Sequence, residues 1–214
     1  MDLPKDASGV KSSLSGLRSY SEELGLNLSR PEDRFKWLLA SMLFAKRISS
    51  EVAKATYKRF EEEGLTTPKR ILEAGWDRLV EALDSGGYVR YDFSTASNLQ
   101  KAVERLLNDY GDLERLHAYS DDPRDLERRL MELKGMGPVG VNIFLRELRG
   151  VWEKADPLTS KIAEAAGHRL GFEDVRTYES ALVRLNLKYC KKRRCSGCPV
   201  KEWCMQAKGV TDKA

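Results

Sequence analysis

Four cysteines, Cys190, Cys195, Cys198 and Cys204, are all that the chain contains, and they fall within fifteen residues with spacers of four, two and five. Thiolates are soft donors, so a loop that gathers four of them suits a zinc ion or an iron–sulfur cluster. A zinc ribbon pairs two Cys-x-x-Cys knuckles, whereas only Cys195 and Cys198 make one here. The bacterial ferredoxin run is tighter and ends in Cys-Pro, whereas Met205 follows Cys204. A [4Fe-4S] cluster is the leading reading and zinc the runner-up. A disulfide framework would need an oxidising compartment. The opening residues MDLPKDASGV hold no apolar signal-peptide core, which sets the expectation of a reducing, cytoplasmic setting.

Three further groups could do chemistry. The stretch Leu133-Lys134-Gly135-Met136-Gly137-Pro138-Val139-Gly140 has glycines two apart and a proline where a helix would begin. Such a joint lets backbone approach a ligand closely, and free amides at the helix start attract an anion such as phosphate. An ordinary tight turn between packed helices has the same signature, so the motif gains weight only in company. Asp156, followed by Pro157, is a carboxylate that could stabilise developing positive charge, and equally a good helix cap before a first-turn proline. From Lys188 to Lys201, both included, there are six basic residues and no acidic one, with Lys191, Lys192, Arg193 and Arg194 inside the first cysteine spacer. Pinned to a metal loop, such a run suits phosphates. His117 and His168 stand isolated and are read as surface or packing residues.

The elements that must position these groups read as helices. The apolar period is helical nearly throughout, and no alternating stretch is long enough for a strand, so the expected fold class is all-α. The pattern predicts a first helix over about 9–23 and a buried second one after Ser29-Arg30-Pro31 carrying Phe35, Leu38, Leu39, Met42 and Leu43. A third runs to the Gly64 stop, shorter ones follow Thr67-Pro68 and Trp76, and Gly86-Gly87 makes a break. Helices then fall at about 92–110, 112–117, 123–133, 138–148, 157–169 and 175–188. The 214 residues are 41% apolar, enough for a real core, and no apolar run reaches the length of about eighteen residues that a membrane span needs. The net charge of +4 is weak support for a polyanionic partner; its distribution matters more.

Taken in order along the chain, these motifs resemble the endonuclease III superfamily of helix-hairpin-helix DNA glycosylases. The hairpin Leu133–Gly140 is followed by Asp156, seventeen residues after Val139, and then by the four-cysteine loop. Upstream, residues Leu39 to Arg47 look like the helix end that fills the gap left by an extracted base, and Gly87-Tyr88 resembles the start of the family's Gly-x-Tyr segment, with a longer turn after it.

The resemblance implies two helical lobes flanking a DNA-binding cleft. Residues 31–149 would form a six-helix barrel with the helix-hairpin-helix at 126–148, and residues 1–30 with 150–214 a lobe carrying the iron–sulfur cluster. It also implies a monomer acting on double-stranded DNA that contains a damaged base, with Asp156 as the catalytic carboxylate. DNA contact is expected from Lys134, Gly135, Gly137, Val139, Gly140, Lys46 as gap-filler, and Lys191, Lys192, Arg193 and Arg194. Phe44, Tyr88 and Tyr91 are the candidates for base pocket or wedge, while Trp37, Phe144 and Trp152 are assigned to the core. At Val139 the chain departs from bifunctional members, which carry a lysine that forms a Schiff base with the sugar. Valine has no nucleophile, so the expectation is base release by water alone, unless Lys46, Lys134 or Lys161 substitutes. Lys134, in place of the hairpin's usual proline, resembles some alkylpurine glycosylases, and a methylated purine is the tentative substrate. A DNA-binding lesion sensor without catalysis is the competing class.

Overall fold

A computed structural model describes residues 7–207, and the elements among them are helical. In chain order they are α1 (Ala7–Ser15), α2 (Tyr20–Glu23), α3 (Pro31–Phe44), α4 (Ser50–Glu62), α5 (Pro68–Ser85), α6 (Asp92–Asp109), α7 (Leu113–Tyr119), α8 (Pro123–Glu132), α9 (Pro138–Arg146), α10 (Lys161–Arg169) and α11 (Glu179–Leu185). No strand occurs among the described residues; an isolated bridge joins Arg149 and Trp152 within a turn. The all-α expectation therefore holds. No described helix is long and apolar enough to cross a membrane.

Two expected boundaries are corrected. The single helix over 9–23 is broken after Ser15, because Ser19 and Glu22 start a new one. Ser19 N donates to Glu22 Oε2 at 2.6 Å and Glu22 N donates to Ser19 Oγ at 3.3 Å, a reciprocal capping box. The helix expected from 157 begins at Lys161 instead. Ser160 takes the cap, its hydroxyl accepting from Ala163 N at 3.4 Å, so Asp156 does not cap α10. The break expected between Pro68 and Trp76 is the kink in α5 at Gly75, where φ is +73°.

The chain divides into two compact units. One is Leu24–Pro157, wider at both ends than residues 31–149; the other joins the segment that ends at Glu23 to the segment that begins at Leu158. In the first unit α3 is the interior helix. Pro31 occupies its first turn with Glu32 and Asp33, a favourable start for both proline and the helix dipole. Trp37, Leu38, Leu39, Ala40, Met42 and Leu43 are all buried, leaving the helix little polar face, as an interior position demands. It packs against α4 and α9, and the Trp37 indole donates to the Phe144 carbonyl at 3.1 Å. Where α5 ends, a Cβ on Gly86 would stand 2.4 Å from Thr56 Cα, so α4 and α5 meet there with no side chain between them.

The second unit has its own core. Val10 and Leu14 of α1 pack with Ala163 and Ala166 of α10, Leu182, Val183 and Leu185 of α11, and Val200. Glu179, wholly buried, accepts from Ser160 N at 2.8 Å and so ties the start of α11 to the start of α10. A 3₁₀ turn at Arg176–Tyr178 leads into α11, and a π-helical turn at Asn186–Cys190 continues from it into the cysteine loop.

Candidate functional site

The hairpin is built from two helix ends with different needs. α8 starts on Asp122, whose carboxylate accepts from Arg124 N at 2.7 Å and Asp125 N at 2.9 Å, and it stops at Glu132. Gly135 then takes a φ of +93°, and a Cβ there would lie 2.9 Å from Asn98 Cβ and 3.1 Å from Met42 Cε. Both conformation and packing therefore select glycine. Gly137 is different: nothing lies within 4 Å of where its Cβ would be, and it stands before α9 with no side-chain cap. The leading amides of α9 are left for solvent or a ligand, at the positive end of the helix dipole. Lys134 before Gly135 and Val139 after Pro138 are both exposed, Val139 at 63%. A Cβ at Gly140 would stand 3.4 Å from Ala45 Cβ, so α9 seats closely against the end of α3, next to the half-buried Phe44 and Lys46.

Asp156 lies in the same unit, in the turn that follows α9. Its side chain is 51% exposed, and Arg149 Nε approaches its Oδ1 at 3.4 Å. The same guanidinium donates from Nη2 to the Pro157 carbonyl at 2.6 Å. A second carboxyl is within electrostatic reach. Glu127 of α8, ion-paired with Arg124, is pushed above the usual carboxyl range, first by burial and also by the charge of Asp156, with Arg124 opposing. Neither Arg149 nor Glu127 was singled out from sequence. Arg149 reaches Asp156 only because the chain reverses through Gly150, whose φ is +81°, and no local pattern announces that contact.

The aromatic candidates separate. Tyr88 is 1% exposed and its hydroxyl donates to the Leu43 carbonyl at 2.8 Å, which makes it a core residue in this structure rather than a pocket wall. Burial accordingly raises its phenol far above the usual range. Tyr91 is half-buried, with its ring edge on Tyr88 and Arg90 5.4 Å from its centroid. Phe44, at the last position of α3, has its ring centroid 6.2 Å from that of Trp37. Trp37, Phe144 and Trp152 are buried.

In the second unit all four cysteines are free thiols, each half-buried. Cys190 and Cys198 are pushed up first by burial, and neighbouring thiols add to the rise: Cys204 and Cys195 at Cys190, and all three others at Cys198. The four sulfurs share one electrostatic neighbourhood. At Cys190 the Arg169 side chain opposes the rise and hydrogen-bonds the sulfur. Among the described residues, no three of His, Cys, Asp and Glu are gathered into a group that could hold a metal ion. The donor set nevertheless fits an iron–sulfur cluster in number and chemistry: four thiols on one loop, partly shielded from water, with neighbouring thiols making ionisation of Cys190 and Cys198 costlier where a cation would ease it. Lys191, Lys192, Arg193 and Arg194 are all exposed, on a turn fixed by Lys191 N to Asn186 O at 2.8 Å, Arg193 N to Cys190 O at 3.1 Å and Arg194 N to Tyr189 O at 3.0 Å. Arg193 takes a φ of +52°, uncommon for a side chain other than glycine's.

No protein-family model matches the chain, and no curated protein matches it.

Proposed function

We propose that the chain is a monofunctional DNA N-glycosylase that draws a damaged base out of the duplex and hydrolyses its N-glycosidic bond, with alkylated purines as the substrate class. The observation that carries this reading is the presence, within Leu24–Pro157, of an uncapped glycine hairpin and a half-exposed carboxylate held in a turn by an arginine. The hairpin's amides suit a backbone phosphate, an attraction of about 0.3–1 kcal/mol for one helix terminus. Lys46 and the exposed Lys134 add cations in that unit; the turn with Lys191, Lys192, Arg193 and Arg194, all exposed, is by itself a basic surface suited to phosphates.

The chemistry follows from the charges. As the base departs with the glycosidic electron pair, C1′ gains positive charge, which the Asp156 carboxylate stabilises. Water adds to C1′ and its proton passes to that carboxylate. A purine methylated on the ring is cationic and leaves as a neutral base, so it needs no general acid. Val139 offers no amine for a covalent intermediate, which supports hydrolysis over strand cleavage. Cys190, Cys195, Cys198 and Cys204 would hold a [4Fe-4S] cluster whose contribution is to crosslink the loop that presents the four bases.

The test is a panel of duplexes carrying single methylated, deaminated or oxidised bases, read with and without alkali. Wild type is expected to give breaks only after alkali, and Asp156→Asn to slow base release by about 100- to 1,000-fold while retaining DNA affinity. A borohydride-trapped adduct with wild type would point instead to a lyase using Lys46, Lys134 or Lys161. Tight lesion binding without base release from any duplex would make the chain a sensor.

A further inference from the structure

We infer that Arg149 is the positioning residue of the site, fixing the turn that ends in Asp156 and Pro157 so that the carboxylate stands outward in one orientation. The inference rests on the reading of Asp156 as the working carboxylate. One guanidinium meets two successive residues here, the Pro157 carbonyl at 2.6 Å and Asp156 Oδ1 at 3.4 Å. The distances differ in meaning. A charge-assisted bond at 2.6 Å is strong, whereas an N–H to carboxylate contact at 3.4 Å is beyond the usual 2.7–2.9 Å and only weakly holds the oxygen. Arg149 therefore grips the backbone and merely steers the carboxylate, leaving it able to face an incoming sugar.

Exposure supports that division of labour. The Arg149 side chain is 16% exposed and that of Asp156 is 51%, so the anchor sits within the unit and the anchored group faces out. Within the turn Ala155 N donates to the Trp152 carbonyl at 3.1 Å and Asp156 N to the Lys154 carbonyl at 3.0 Å, while Trp152 and Lys154 tie its first half to His117 of α7. Glu127, which is paired with Arg124, repels Asp156. A lysine cannot reproduce the role, because a single ammonium lacks the fork that meets carbonyl and carboxylate at once.

The experiment compares Arg149→Gln and Arg149→Lys with wild type in the full-length protein. Hydrogen exchange is followed at the amides of Ala155, Asp156 and Leu158, and single-turnover base release and affinity are measured on a duplex bearing a methylated purine. Arg149→Gln is expected to lose protection at those amides with little change in melting temperature, to slow base release by about 10- to 100-fold, and to keep DNA affinity within about threefold. Arg149→Lys should fall between. Unchanged amide exchange in Arg149→Gln overturns the inference whatever the activity, and so does a loss of rate matched by an equal loss of affinity. Lost protection in a protein whose wild type releases no base leaves Arg149 positioning the turn and removes the glycosylase reading instead.

Discussion

At position 139 an apolar side chain, 63% exposed, stands one residue inside the uncapped start of α9. Nothing in the packing asks for valine there, so the residue is open to replacement. Val139→Lys is expected to shift stability by no more than about 0.5 kcal/mol, as exposed substitutions do. It should steepen the salt dependence of DNA affinity by about one in slope, measured by anisotropy titrations at several salt concentrations. On lesion-bearing DNA a borohydride-trapped adduct should now form; a wild-type slope with no adduct would remove residue 139 from the DNA-facing surface. Gly135 makes the opposite case, since positive φ and the contacts with Asn98 and Met42 leave no room for a side chain. The motif could be read from sequence because its glycines mark it. That one glycine is packed in and the other left open was not readable, since the difference comes from α3 and α6 lying beside only the first.

The turn bearing Asp156 depends on α7 and on the residues that follow α9. His117 stacks on Trp152 with ring centroids 4.5 Å apart and planes 8° from parallel, while Lys154 Nζ donates to the His117 carbonyl at 3.2 Å. Burial holds the imidazole below its ordinary value of 6.5, and Lys154 and Arg34 act in the same direction against Glu114 and Glu153. The sign follows from linkage. The unfolded chain takes up a proton on His117 more readily than the folded one, so this contribution to stability is complete above pH 6.5 and is lost as pH falls below it. Melting curves of wild type across that window should fall more steeply than those of His117→Gln, and parallel curves would contradict the assignment. From sequence the histidine looked solitary, because its partners lie 35 and 37 residues away at Trp152 and Lys154. Helix positions fared better, since Asp112 and Asp122 mark starts by accepting from first-turn amides and Pro138 by its fixed φ, none of which needs a distant partner. Asp156-Pro157 carried the same local signal and did not start a helix, because the contact from Arg149 and the competing cap at Ser160 decided otherwise.

Across the whole molecule, the two units have separate cores, and the thiols belong to the smaller one. Cys198 and Cys204 pack against the Val10, Leu182 and Val200 core, so loss of a cluster should loosen that unit first. On the proposed [4Fe-4S] reading, an iron chelator, or Cys198→Ser, is expected to abolish the visible absorbance of an iron–sulfur chromophore and to speed amide exchange across α10 and α11. Exchange in α3 and α9 should change far less, because their contacts lie within Leu24–Pro157. A colourless protein with one stoichiometric zinc would sink the cluster and leave the thiol site standing with a different metal.

The helical class, most helix starts, the glycine hairpin and the four-thiol loop follow from the order of the residues. Each rests on spacing along the chain, through a 3.6-residue period, a capping side chain or ligands a few residues apart. The tertiary structure alone decided that Tyr88 is core, that Asp156 does not cap a helix, that Gly137 faces open space and that Arg149 and Glu127 bear on Asp156. Burial and charge pairing are set by which distant segments meet, and no local pattern records that.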